Sequence, residues 1–244
     1  MAGNADWVVD ANQFNIGTGS GGIMQTGSGS EANPQRYPTP AQSGITSTTS
    51  ETFWKGGLSA WGVACAKLGY TVETLPYNGT ITYGSTTNAQ DLSKYKIYVV
   101  CEPNIKYTAA EKTAILQFVQ NGGGLFMIAD HTVSDRNNDG WDSPAIWNDL
   151  LNTNSIAANP FGITFDLANF SQTTTNFASL ASNTVLHGSA GNPTKMKFAN
   201  GTSMTLNKTK NPNALGLVFK TGSSTTGTTG VMFATSKFGT GKVV

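Results

Sequence analysis

With 244 residues the chain can bury one full hydrophobic core, and a single domain over residues 1–244 is the simplest expectation. Only 12% of the residues are charged, and the net charge is +1 with no run of lysine or arginine. This composition argues against a basic nucleic-acid-binding patch, and no apolar run is long enough to cross a membrane.

Neutral polar residues, mainly Ser, Thr, Asn and Gly, dominate the sequence. Such a composition is common in exported bacterial proteins and predicts a secreted or periplasmic protein, although the first ten residues, MAGNADWVVD, contain no signal-peptide leader. The two cysteines, Cys65 and Cys101, are too few for a disulfide scaffold. We expect two buried thiols, with a single disulfide as the alternative.

The N-terminal third alternates short apolar segments with a long polar one. Residues 7–10 (WVVD) predict a buried strand that ends on an acid, and residues 15–50 predict a long loop. Residues 51–68 have the apolar spacing of a helix that Gly69 would end. Residues 70–75 predict another strand.

The next segment predicts a βαβ unit. Residues 96–101 (KIYVVC) form a continuous apolar strand, and residues 108–111 (TAAE) match a capping box at the start of a helix. Glycines 122–124 would end that helix, and residues 125–129 (LFMIA) form the next strand. Two such strands joined by a helix run parallel with a right-handed crossover.

The remaining sequence is less regular. Residues 150–205 predict loops and small antiparallel strands, and residues 215–220 and 231–235 predict further strands. Residues 241–244 (GKVV) have the pattern of a strand that has only begun, so we expect the chain to be truncated or processed there. The expected organisation is an α/β core over about residues 5–150 with an irregular, β-rich, partly antiparallel extension over 151–244.

Acids follow three of the predicted strands. Asp10, Glu102 and Asp130 each come directly after an apolar run, and His131 follows Asp130. Because ligands collect at the carboxyl ends of parallel strands, we predict that these side chains share one crevice. Carboxylates held together repel each other and raise each other's pKa, and a bound divalent cation would offset that repulsion. Each acid also has an ordinary explanation, as a cap or a solvated side chain.

The loop after Asp130 resembles the first half of a calcium loop. Asp135, Asn137, Asp139 and Gly140 fit the D-x-[DN]-x-[DN]-G pattern, but Ile146 stands where a full EF-hand has Glu. An Asx-rich turn is the alternative. The predicted ion is Ca²⁺, with Zn²⁺, Mg²⁺ or Mn²⁺ as alternatives, and its predicted ligands are Asp130, His131, Asp135, Asn137, Asp139 and Asp142.

Other arrangements of nucleophiles have weaker support. Ser134 lies three residues from His131 without a G-x-S-x-G elbow. Cys101 ends a strand and would need His131 or His187 as its base, whereas a buried thiol is the simpler interpretation. Three aromatic residues would line a substrate cleft or pack in the core: Tyr107, Trp141 and Trp147.

The YVVCEP strand, the capped helix and the NGGGLFMIADH segment together resemble the class I glutamine-amidotransferase-like superfamily over about residues 5–150. The resemblance is strongest to uncharacterised secreted bacterial members with an SDRNNDGWDSP segment. It implies a flavodoxin-like three-layer fold with a mostly parallel sheet, and a C-terminal segment of the same precursor as a partner. Asp130-His131-Thr132 replaces the elbow cysteine, so glutamine hydrolysis is not expected.

The favoured function at this stage is a metal-dependent hydrolase acting on an ester, phosphoester or glycosidic bond of a small molecule or polysaccharide. Asp130 and His131 would act with Glu102 and Asp10 in catalysis. A non-catalytic, calcium-stabilised carbohydrate-binding module is one alternative. A cysteine-dependent hydrolase that uses Cys101 is another.

Overall fold

The computed structural model describes residues 42–50, 53, 59–73, 75, 79–135, 138–189 and 191–244. The predicted strand at 7–10 with Asp10, most of the predicted loop at 15–50, and Asn137 lie outside the described residues. The described helices are α1 (Ser59–Lys67), α2 (Ala109–Gln120) and α3 (Ser143–Asn152). The strands are β1 (Ile97–Cys101), β2 (Gly124–Ile128), β3 (Ile163–Phe165), β4 (Phe170–Thr174), β5 (Met196–Gly201), β6 (Met204–Leu206), β7 (Leu215–Phe219), β8 (Val231–Phe238) and β9 (Gly241–Val243).

Seven of these strands form one mixed sheet. Its order is β1-β2-β9-β8-β6-β3, and β7 also pairs with β8. The β1–β2 and β2–β9 pairs are parallel, whereas the other pairs in the sheet are antiparallel. β4 and β5 form a separate antiparallel pair.

The predicted α/β class, a flavodoxin-like three-layer fold with a mostly parallel sheet, is wrong. The described chain is mostly β, with a mixed sheet and few helices. The reason is the path of the C-terminal residues: the β8–β9 hairpin places β9 beside β2, so strands predicted to form an irregular extension continue the same sheet in antiparallel fashion. Only the β1–β2 and β2–β9 pairs are parallel.

The predicted βαβ unit is confirmed. β1 and β2 pair in parallel from Ile97↔Gly124 to Cys101↔Ile128, with α2 between them in sequence. The capping box is also present, because the Glu111 N–H donates to the Thr108 hydroxyl and the Thr108 N–H donates to the Glu111 carboxylate. Both features depend on residues close in sequence.

The C-terminal part of the helix predicted over 51–68 is observed as α1, whereas most of residues 51–58 lie outside the described residues. Gly69 follows the end of α1 with a φ of +89°. The predicted strand over 70–75 is wrong for its described residues, 70–73 and 75, which form no strand. The Gln42 side chain accepts from the Val72 N–H at 2.8 Å and donates to the Tyr70 carbonyl at 2.6 Å. A side-chain amide thus occupies backbone groups that a neighbouring strand would have used.

The predicted strand near the end of the chain is observed as β9, at a central position between β2 and β8. Its hairpin contacts the end of α2: the Thr240 N–H donates to the Gln120 carbonyl, and the Lys242 N–H donates to the Gly123 carbonyl. A Cβ on Gly241 would overlap the carbonyl oxygens of Val119 and Gly123. The close approach therefore requires glycine.

The core lies mainly between the sheet and α2 and α3. Its largest fully buried side chains include Trp147, Phe161, Phe219, Ile115 and Leu116. Within the described residues, no helix is both long and apolar enough to span a membrane.

Candidate functional site

The candidate site lies at the carboxyl edge of the three parallel strands. The Glu102 N–H donates to the Ile128 carbonyl at 3.0 Å, which extends the β1–β2 pairing by one residue. On the other side of β2, the Met127 N–H donates to the Val244 carbonyl at 2.8 Å. Glu102 and Asp130 therefore follow neighbouring strands, and Asp10 lies outside the described residues.

This edge contains unusual backbone conformations. Three of the five non-glycine residues with positive φ in the described chain lie here: Glu102 at +49°, Val133 at +60° and Asn138 at +58°. A β-branched residue in this region is a clear outlier, and each such residue costs on the order of 1–2 kcal/mol. Strained residues of this kind concentrate at functional sites, where the surrounding structure holds them in place.

Asp130 contacts polar groups through both its backbone and its carboxylate. Its N–H donates to the Ser143 hydroxyl at 2.9 Å, and its Oδ2 accepts the Ser134 hydroxyl at 2.6 Å. The Nε2 of His131 lies 3.7 Å from the same Oδ2. Both side chains are largely covered, with 16% exposure for His131 and 12% for Asp130, so their interaction is less screened than that of an exposed pair.

The second contact of His131 determines its tautomer. Its Nδ1 lies 2.6 Å from the Thr132 carbonyl oxygen, which can only accept a hydrogen bond. Nδ1 must therefore carry the proton, and in the neutral ring Nε2 has the free lone pair. The nitrogen able to take up a proton is thus the one that faces Asp130.

Asp142 serves as the N-cap of α3. Its Oδ1 accepts the Ala145 N–H at 3.0 Å, and its Oδ2 accepts the Thr132 hydroxyl at 3.0 Å and the Val133 N–H at 2.8 Å. It therefore joins the start of α3 to the loop that carries His131. This helix was not predicted from the sequence, although Asp142 followed by Ser-Pro is a typical start signal.

The described acids of the calcium-like loop accept backbone N–H groups of the same loop. Both oxygens of Asp135 accept N–H groups, from Asp139 at 3.1 Å and from Gly140 at 2.7 Å. Oδ1 of Asp139 accepts the Trp141 N–H at 2.9 Å. These contacts order the loop around the two carboxylates, whose oxygens keep further lone pairs, and the predicted calcium site stays a prediction. The described residues contain no group of three His, Cys, Asp or Glu side chains that could hold a metal ion.

Of the three aromatic residues for which a cleft and core packing were both open, two lie in the core. Tyr107 and Trp147 are buried with their ring centroids 5.6 Å apart, and the Trp147 Nε1–H donates to the Ile128 carbonyl at 3.1 Å. Trp141 is half-buried, and the Lys106 ammonium covers its ring at 3.7 Å. Their main role is to support the base of the site.

A buried ion pair lies between α2 and α3. Lys112 is 6% exposed, and its Nζ lies 2.5 Å from Asp149 Oδ2 and 2.6 Å from the Thr153 hydroxyl. Burial by itself would raise the pKa of Asp149, but hydrogen bonds from Lys112 and Thr153 and the charges of Lys112 and Lys106 lower it overall. The carboxylate therefore remains ionised and joins α2 to α3.

The other residues considered in the sequence analysis are the two cysteines and His187. Cys101 is the last residue of β1 and is half-buried, and neither Cys101 nor Cys65 forms a disulfide. Burial raises the pKa of the Cys65 thiol. His187 is exposed in a turn, where its N–H donates to the Asn183 carbonyl.

Comparison with known proteins adds no functional information. No family model and no curated protein matches the chain. A solved structure described as "mmIFT52 N-terminal domain" is similar at a TM-score of 0.39 and 15% identity, over 62% of this chain and 65% of that chain. The chain thus spans just under two thirds of that structure, and the resemblance to amidotransferase-like proteins stays a prediction.

Proposed function

We propose that the protein is a hydrolase whose reaction takes place at the carboxyl edge of β1, β2 and β9, with His131 as its general base. The observation that carries this proposal is the pairing of His131 with Asp130. The Thr132 carbonyl fixes the proton on Nδ1, and Nε2 lies 3.7 Å from a carboxylate oxygen. With Nδ1 protonated, the lone pair of Nε2 can accept a proton, and the nearby carboxylate would stabilise the imidazolium that forms.

The 3.7 Å gap between Nε2 and Oδ2 is too long for a direct hydrogen bond. A water molecule about 2.8 Å from each atom would bridge them. In the proposed reaction, this water gives a proton to Nε2 of His131 while its oxygen attacks the electrophilic atom of the substrate. The imidazolium then returns the proton to the leaving group, so that water is added across the broken bond.

The neighbours of His131 have supporting roles in this proposal. Asp130 stabilises the imidazolium, and the hydroxyl of Ser134 donates to Asp130 Oδ2 and so orients its carboxylate. Glu102 follows the adjacent strand in a strained conformation, where its side chain can bind a polar group of the substrate. An ester, a phosphoester and a glycosidic bond are all compatible with this chemistry.

No step of this mechanism passes through a metal ion. The described acids of the calcium-like loop accept backbone N–H groups, and two predicted contributors, Asp10 and Asn137, lie outside the described residues. Metal dependence and secretion stay predictions. The carbohydrate-binding alternative loses support because Tyr107 and Trp147 are buried instead of exposed for sugar stacking.

A panel of chromogenic esters, phosphoesters and glycosides would test the proposal. The expected result is turnover of one class that falls by about 10²–10⁴-fold in His131→Gln, the range typical for loss of a general base. Asp130→Asn should lower kcat more than it changes KM, because its charge is needed only once the imidazolium forms. Loss of turnover on chelation by EDTA would instead support the metal-dependent reaction predicted from the sequence.

His187→Gln is the matched control, because it removes the exposed histidine and should leave turnover unchanged. Cys101→Ser should also retain activity, whereas the cysteine-dependent alternative requires that it be lost. In ¹⁵N NMR spectra, His131 should be protonated at Nδ1 in its neutral form. Full turnover in His131→Gln, or a neutral ring protonated at Nε2, would contradict the proposal.

A further inference from the structure

A cavity of about 470 Å³ opens beside the β8–β9 hairpin. The residues that line it include Lys208, Lys237 and Lys242, together with Asn183, Asn213, Thr235 and several apolar residues. None of the residues that line it is acidic. The three lysines are separated in sequence, so only the fold brings them to one cavity.

Two of the lysines are direct cross-strand neighbours. Lys237 of β8 and Lys242 of β9 are register partners, so their side chains leave the same face of the sheet side by side. Like charges placed directly opposite each other destabilise a sheet. Within the described part of the chain, no carboxylate forms an ion pair with either lysine or with Lys208.

The surrounding groups suit a small anion. Thr235 lies two residues before Lys237 on β8 and therefore on the same face as the lysine pair. Asn183 and Asn213 add amide groups to the cavity wall. Ammonium, amide and hydroxyl donors around a space of this size are the groups that bind phosphate or carboxylate oxygens.

We propose that this cavity, the lysine cavity, binds a small molecule through an oxyanion group that lies between Lys237 and Lys242. The bound anion would replace the repulsion of the cross-strand pair with two attractive contacts, and Lys208 would contribute a third. This proposal is independent of the hydrolase proposed above.

Calorimetry and thermal unfolding with inorganic phosphate, pyrophosphate and citrate, against sodium chloride at equal ionic strength, would test this inference. We expect at least one oxyanion to raise Tm by about 5 °C at saturating concentration, and to bind at least about tenfold more weakly to Lys237→Gln and Lys242→Gln. Tighter binding of pyrophosphate would indicate a phosphate-bearing ligand, and tighter binding of citrate a carboxylate-bearing one.

Lys197→Gln is the control, because Lys197 is an exposed lysine on β5 of the separate two-stranded sheet. It should bind the anion as the wild type does. Without ligand and at low salt, Lys237→Gln should have a higher Tm than the wild type, because the cross-strand repulsion is gone. Equal responses in all variants, or no effect beyond that of sodium chloride, would overturn the proposal.

Discussion

Among individual residues, Asp91 has the most complete set of hydrogen bonds in the described chain. It is fully buried and accepts the hydroxyls of Thr82 and Ser93 together with the N–H groups of Gly84, Ser85 and Ser93. Burial alone would raise the pKa of Asp91, but these donors lower it well below its usual range. The loop before β1 therefore depends on an ionised carboxylate.

Asp91→Asn should lower the free energy of unfolding by about 2 kcal/mol or more at pH 7, because two acceptor oxygens become one and some buried donors lose their partners. A depressed pKa in the folded state means that Asp91 contributes fully above its unfolded pKa of about 4 and loses its contribution as the pH falls below that value. Urea unfolding at pH 7 and pH 3 measures both effects. The gap between wild type and variant should narrow at the lower pH, whereas exposed Asp139→Asn should change stability little at either pH.

At the scale of elements, the loop between β2 and α3 depends on the cap of the helix. Asp142→Ala should lower the free energy of unfolding by about 1–2 kcal/mol, because it removes an N-cap and frees the Thr132 hydroxyl and the Val133 N–H. Asp142→Asn is the matched variant and should retain most of the stability, since Asn caps helices nearly as well. Denaturant titration of the two variants compares them directly, and equal losses would contradict a capping role.

The same loop leads to a prediction about metal ions. Asp135 and Asp142 accept backbone N–H groups, and their oxygens keep lone pairs for a cation. If the loop binds Ca²⁺ as the sequence predicts, millimolar CaCl₂ should raise the Tm of the wild-type protein, and EDTA should reverse that rise. Differential scanning calorimetry measures the Tm with CaCl₂, with EDTA and without either. A rise in Tm with CaCl₂ that Asp135→Asn abolishes would support the calcium loop predicted from the sequence, whereas an unchanged Tm would contradict it.

The capping box of α2 and the βαβ unit have local signals and were predicted from the sequence. Thr108 and Glu111 are three residues apart, so the capping box could be inferred from the sequence before the structure was known. The start of α3 at Asp142 carried a similar local signal, which the sequence analysis attributed to a metal ligand instead. The segment 70–75 was misread because its partner is the distant Gln42 side chain, which no local pattern reveals.

At the scale of the whole molecule, the class of the fold was missed because it depends on where β9 lies. Its apolar sequence predicts a strand, and its pairing with β8 is a local hairpin, but its pairing with β2 joins residues more than a hundred positions apart. Part of the candidate site likewise could not be predicted from the sequence. A cluster could be predicted from Asp130, His131 and Ser134 because they are close in sequence. The tautomer of His131 and the lysine cavity could not, because they depend on three-dimensional geometry.

The central position of β9 makes its first residue critical for the entire sheet. Gly241→Ala should lower the free energy of unfolding by about 3 kcal/mol or more, because the new Cβ would overlap the Val119 and Gly123 carbonyls, and backbone atoms cannot move away as a flexible side chain would. Gly124→Ala is the control: it lies in β2 beside Lys242, and its Cβ would meet the Lys96 carbonyl at an ordinary 3.5 Å. Urea unfolding and the near-UV spectrum of each variant measure the difference. If Gly241→Ala were as stable as Gly124→Ala, β9 would not pack against the end of α2 as described, and the mixed sheet built around it would be in error.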